Sequence, residues 1–180
     1  SVIAGNRAGL TDTVCSAFAM TLIILDSSKA METLILGIGN ELMGDEGIGV
    51  HAINYLEKKA SFGNVRLLDG GTGGFHLLEF LHTYAAIIMI DATMDGQPAG
   101  TVKVIKPRFS TDYPKTLSAH DIGLKDLVES AHLLGFMPEI FLITVSIPDI
   151  QPMQIRLSRE VESALPEIHS QIKNLFQGPL

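Results

Sequence analysis

The chain has no tryptophan, a single cysteine in 180 residues, and fewer basic than acidic side chains, 13 against 20, for a formal net charge of −7. Each shortage closes off a class of function. One cysteine, Cys15, excludes an internal disulfide and any multi-cysteine zinc or iron–sulfur centre, and with no evident histidine partner it is no candidate nucleophile. Without a basic excess no surface is set up to neutralise phosphates, so nucleic acid is not an expected partner. The apolar stretch Val14 to Leu25 falls short of the roughly 20 residues that cross a bilayer, so membrane insertion is not expected. No Gly-x-Ser-x-Gly elbow is present. What remains, with 46% hydrophobic and 18% charged residues, is a compact globular domain long enough to bury a core without staples, in a reduced, cytoplasmic setting.

Residues 1–30 read as an N-terminal extension of doubtful nativeness: Arg7 and Lys29 offset Asp12 and Asp26, and Met31-Glu-Thr-Leu-Ile-Leu-Gly37 looks like a start. The domain is expected over 31–177. Leu175-Phe-Gln-Gly-Pro179 matches the core of an engineered protease-recognition sequence, so 178–180 read as a tail or tag remnant.

Within the domain, strands and helices alternate. Thr33–Ile38, Val65–Asp69, Ala85–Asp91 and Ile140–Val145 are short apolar runs that read as buried strands, the third closing on an acid. Gly47–Ala60, Phe75–Thr83, Ile122–Leu134 and Ser158–Leu175 carry helical spacing. Thr101–Ile105 alternates and follows Asp91 too closely for a helical crossover, which predicts an edge strand antiparallel to the one before it. Apolar strands separated by helices give the α/β class: a mostly parallel sheet between two helical layers.

In such sheets ligands bind beyond the carboxyl ends of the strands. There the chain carries Gly37-Ile-Gly-Asn-Glu-Leu-Met-Gly-Asp-Glu-Gly-Ile-Gly49, Asp69-Gly-Gly-Thr72 and Asp91-Ala-Thr93. The first is not a dinucleotide fingerprint: Leu42 stands where the third glycine belongs, and Asp45 and Glu46 would repel a pyrophosphate. Asp45 and Glu46 could simply favour the helix dipole, but Gly44, Gly47 and Gly49 around them point to a backbone that something approaches closely. His120, in Leu117-Ser-Ala-His-Asp-Ile-Gly-Leu124, adds an imidazole ahead of a helix. Two carboxylates and one histidine suit an open three-ligand site for a divalent transition metal. His51, His76, His82, His132 and His169 fall in expected helices and read as surface residues.

The segment Gly37-Ile-Gly-Asn-Glu-Leu-Met-Gly-Asp-Glu-Gly-Ile-Gly-Val50 resembles the amino-terminal signature of the nickel–iron hydrogenase maturation endopeptidases. Asp69-Gly-Gly-Thr72, Ile90-Asp-Ala-Thr93 and Ser118-Ala-His-Asp-Ile-Gly-Leu124 follow in that family's order, so the resemblance runs from Met31 to about Phe176. It implies a three-layer αβα sandwich with a five-stranded twisted sheet, one strand antiparallel. It further implies an aspartic-type endopeptidase that trims the C-terminal extension of a nickel–iron hydrogenase large-subunit precursor after nickel insertion. The nickel is then supplied by the substrate, with no stored metal or organic cofactor. Its ligands on the protease, matched motif by motif, are Glu46, Asp91 and His120, with Asp45 the neighbouring acid. The partner is the precursor, and the protease is expected to be monomeric. The rival readings are a nickel-binding accessory protein that docks without cutting, a protease for other substrates on a related fold, and a nucleotide-binding α/β domain.

Overall fold

The structure is a computed structural model that describes residues 33–59, 62–74, 77–107, 112, 114, 128–130, 132–133, 135 and 138–177. All of these lie in the unit Met31–Leu180. The expected extension and tail, 1–30 and 178–180, fall outside them. In chain order come β1 (Thr33–Gly37), a 3₁₀ turn (Gly44–Gly47), α1 (Ile48–Lys59), β2 (Val65–Asp69) and α2 (Leu78–Thr83). β3 (Ala86–Thr93), β4 (Val102–Ile105), β5 (Glu139–Ser146), the single-turn α3 (Arg159–Glu162) and α4 (Leu165–Gln177) follow. Of the helix expected at Ile122–Leu134, residues 128–130 and 132–133 are described, and they are helical.

The strands form one sheet in the order β2-β1-β3-β5-β4. β1 pairs parallel with β2 and β3, and β3 pairs parallel with β5. β4 lies at the edge and is antiparallel, as expected, but its partner is β5 rather than β3, with Val102 opposite Val145. The turn after β3 carries the chain past its own strand: Gly100 N–H donates to Ser146 O and Ser146 N–H to Thr101 O, both at 2.9 Å. Asp95 fixes that turn, accepting from Lys103 Nζ at 2.6 Å and from Ser146 Oγ at 2.8 Å. Burial alone would raise the Asp95 pKa. The hydrogen bonds from Lys103, Ser146 and the Gln97 N–H, with the Lys103 charge, outweigh it and hold the carboxyl below its ordinary value.

Alternate residues of the central strands face opposite layers, as a pleated sheet requires. Leu34, Leu36, Ile87, Met89, Ile140 and Leu142 pack with Leu77, Leu81, Tyr84 and Val128. Ile35, Ile88, Ile90, Ile143 and Val145 pack on the other side with Ile53 and Leu56 of α1, Val161 of α3, and Ile168 and Ile172 of α4. The sheet is therefore sandwiched, as the unbroken apolar runs predict. The expected continuous helix Ser158–Leu175 is instead two. Ser158 caps α3, its Oγ accepting from Val161 N–H, and Pro166 has no N–H to return to Glu162 O, so the ladder restarts at Leu165.

Two outcomes follow from this packing. A Cβ on Gly49 would fall inside the van der Waals shells of the Ile38 and Ile90 carbonyl oxygens, so Gly49→Ala is expected to lower stability by about 1–3 kcal/mol in urea unfolding. On α4, His169 is half-buried, edge-on to Phe62 with ring centroids 5.6 Å apart. Burial first, then the charges of Lys173 and Lys59, hold it below the ordinary histidine value of 6.5. The unfolded chain therefore takes up this proton before the folded one does. Stability falls as pH drops through 6.5 toward the lowered folded value. His169→Leu removes that loss, so the urea midpoint of the variant should gain on the wild type as pH is lowered from about 7.5 to about 5.5.

Candidate active site

The strand order reverses direction between β1 and β3: from β1 the chain goes outward to β2, and from β3 it continues toward β5 and β4. That is the topological switch point, where a crevice opens beyond the strand ends. β1 stops at Gly37, opposite Ile90, whereas β3 runs on to Thr93. Asp91 therefore does not end its strand, as its sequence suggests. It lies within β3, opposite Thr144 of β5, on the flank from which β1 has turned away. Ile38 N–H donates the last bond across that flank, to Ile90 O at 2.8 Å. Asp91 is 3% exposed and its Oδ1 accepts from the Ala92 N–H at 2.8 Å.

Glu46 reaches the same end of the sheet from the 3₁₀ turn, which packs directly on β3. The glycines permit this. Gly37 abuts the Gly49 carbonyl, Gly49 abuts Ile38 and Ile90, and Gly39, at φ +147°, abuts the Glu46 carbonyl. The close approach that the sequence signals is thus made by the chain's own backbone, which leaves no gap for a pyrophosphate in the first turn of α1. Glu46 is 1% exposed, and its Oε2 accepts from the Asn40 N–H at 2.6 Å. Asn40 Oδ1 in turn accepts from Leu42 N–H at 3.0 Å, shaping the loop that offers this donor.

Asp45, the adjacent acid, points elsewhere. It is fully buried. Its Oδ1 accepts from Ser158 N–H at 2.6 Å and its Oδ2 from Gln151 Nε2 at 3.3 Å, while its own N–H donates to Gln151 Oε1 at 2.8 Å. These contacts pin the turn to the 151–158 segment. Gln151 and Ser158 carry no motif that would mark them in the sequence.

Beside the acids lies a cleft of about 220 Å³ lined by Gly39, Asn40, Glu41, Leu42, Val50, Asp69, Gly71 and Thr72. Asp69 Oδ1 accepts from Gly71 N–H at 2.8 Å, and Gly39 N–H donates to Gly71 O at 2.8 Å, so the Asp69-Gly-Gly-Thr72 turn is fastened to the first loop. The structure thus gathers Glu46 and Asp91 at one end of the sheet and separates Asp45 from them by role. His120 lies outside the described residues. Among the described residues no three His, Cys, Asp or Glu side chains cluster to hold a metal ion, and no helix is long and apolar enough to cross a membrane.

The buried acids thus stand at the switch-point end of a mostly parallel sheet, where folds of this class bind their ligands. The model of the hydrogenase maturation protease family (HycI) matches residues 50–175. The chain is 34% identical over 148 residues to the hydrogenase expression/formation protein HupD of Rhizobium leguminosarum bv. viciae, covering 79% of this chain and 72% of that one. It is 30% identical over 145 residues to the hydrogenase 2 maturation protease of Escherichia coli K12, covering 79% and 88%. The solved structure of the E. coli hydrogenase maturating endopeptidase HybD matches at TM-score 0.75 and 28% identity, over 82% of this chain and 93% of that one. The chain spans 54% and 56% of two further curated relatives, from Rhodobacter capsulatus and Thiocapsa roseopersicina. This chain belongs to the hydrogenase maturation protease family, a family of endopeptidases.

The contrast between the adjacent acids is testable. Asp45→Ala strands the Ser158 N–H and Gln151, so it is expected to cost about 1–3 kcal/mol in denaturant unfolding.

Proposed function

We propose that this protein removes the C-terminal extension of a nickel–iron hydrogenase large-subunit precursor after nickel insertion, and that it recognises the nickel on the substrate through Glu46, Asp91 and His120. The observation that carries the reading is the placement of two nearly sealed carboxylates, Asp91 on β3 and Glu46 on the turn packed against β3, at the switch-point end of the sheet. Family membership supports the processing of a hydrogenase precursor in general; the nickel ligands, a monomeric state and a cytoplasmic setting are part of the proposal.

The chemistry follows from the donor set. Carboxylate oxygens and an imidazole are borderline-to-hard donors, suited to completing the coordination of an ion that already sits on another protein's thiolates. Residues 31–180 hold no cysteine, so thiolate ligands come from the substrate. A precursor without nickel lacks what these three residues grasp and binds weakly. A carbonyl bound to such an ion is polarised for attack by water. A carboxylate not committed to the ion can accept the proton of that water. The same carboxyl group returns that proton to the leaving nitrogen as the C–N bond breaks, leaving a new carboxyl terminus on the subunit and an amine on the released tail.

The experiment compares nickel-loaded and nickel-free precursor with wild type, Glu46→Gln, Asp91→Asn and His120→Ala, read by mass spectrometry of the precursor. Wild type should shorten only the nickel-loaded form. Each substitution should slow trimming by at least about a hundredfold, the scale of losing a metal ligand or a general base. Trimming at the normal rate by the triple variant would refute the site. Binding of nickel-loaded precursor by wild type without any loss of mass would favour the accessory-protein reading.

A further inference from the structure

Three apolar side chains stand in solvent around the site: Leu42 at 54% exposed, Met153 at 88% and Ile155 at 62%. They belong to two segments that are joined as a unit. Met43 and Gln154 form a parallel bridge, which sets Leu42 alongside Met153 and Gly44 alongside Ile155. Gly44 N–H donates to Gln154 O at 2.8 Å, Gln151 N–H to Met43 O at 3.3 Å, and Ile155 O pairs with His51 Nε2 at 3.0 Å. The contacts of Asp45 with Gln151 and Ser158 close the same seam from beneath. A segment held at so many points is ordered before any partner arrives, yet what it presents is apolar. Met153 also has φ +64°, and it is the one non-glycine with positive φ among the described residues. Asparagine or glycine is the usual occupant of that conformation. Neither packing nor backbone preference explains an exposed thioether there.

Position supplies the explanation. Leu42 also lines the cleft beside Glu46, so the apolar residues and the cleft form one continuous surface. The cleft is lined by Asn40, whose N–H donates to Glu46 Oε2, so a protein that brings its C-terminal tail to these acids lies against the segments that border the cleft. We propose that Leu42, Met153 and Ile155 form a rigid docking ridge for the substrate protein, received by an apolar patch of the large-subunit precursor next to its tail. This rests on the function proposed above and adds to it a contact that does not involve the nickel. The ridge selects the folded body of the precursor, while the acids inspect its metal. Exposed apolar residues grouped at a functional mouth are the usual mark of such a protein contact, and a few of them carry most of its energy.

The test uses the full chain and nickel-loaded precursors of the nickel–iron hydrogenases of the source organism. The variants are Met153→Asn, Ile155→Gln and the pair together, with Val104→Ser on the edge strand β4 as control. Met153→Asn keeps a residue suited to positive φ, so its Tm should equal or exceed that of wild type and misfolding cannot account for its effect. The pair should raise KM for precursor at least about tenfold with kcat unchanged, and weaken precursor binding by sedimentation to the same degree. Val104→Ser should change neither. An unchanged KM and binding for the pair would overturn the ridge. If wild type binds precursor without cutting it, the endopeptidase reading fails while the binding comparison still decides the ridge. If wild type neither binds nor cuts any of them, both readings fall.

Discussion

The site depends on one steric condition: the start of α1 must lie directly on the ends of β1 and β3. Gly37, Gly39 and Gly49 meet it, because at each of them a Cβ would enter a neighbouring carbonyl group. Backbone meets backbone at the switch point, and the 3₁₀ turn is drawn down onto β3. Only then is Glu46 buried beside the strand that carries Asp91. Lifting the helix by the width of a methyl group would move the acid and loosen Ile53 and Leu56 from the sheet. The glycines act here through packing, and the mechanism is distinct from the phosphate cradle that a similar-looking loop would form.

The two adjacent acids divide the labour that this placement creates. Asp45 accepts from the Ser158 N–H and Gln151 and gives the turn its tether. Glu46 Oε2 accepts from the Asn40 N–H, which orients it. A carboxylate surrounded by structural donors is a poor ligand, since binding an ion would cost it those hydrogen bonds.

Much of this was legible in the sequence. The apolar runs of β1, β3 and β5 read as a buried parallel sheet, and the glycine–acid loops fall at the carboxyl ends of its strands. Local pattern could not say that β4 lies beside β5, because the choice rests on the Asp95 turn meeting Lys103 and Ser146. It placed Asp91 at the end of a strand, since an acid usually closes an apolar run. The strand continues because β5 still pairs with it after β1 has left. The break before α4 was written at Pro166 but was hidden by the amphipathic spacing on either side. His169 reads as a surface histidine, and only the approach of Phe62 and Tyr55 shows that it is half-buried. Gln151 and Ser158 were silent, for their role exists only once distant segments meet.

That last point bears on how the protein comes into being. Asp45 is separated from Gln151 by 106 positions and from Ser158 by 113. Loop closure over such a span is among the late and slow events of folding, because its entropy is lost before any contact repays it. A chain still emerging from the ribosome holds the whole glycine-rich loop and both β1 and β3, yet lacks the tether that seats Glu46. The tether of the turn that carries Glu46 therefore needs residues 151–158 in place. A nascent or partly unfolded molecule carries every residue of the first motif without the contacts of Asp45 to Gln151 and Ser158 that fasten the turn.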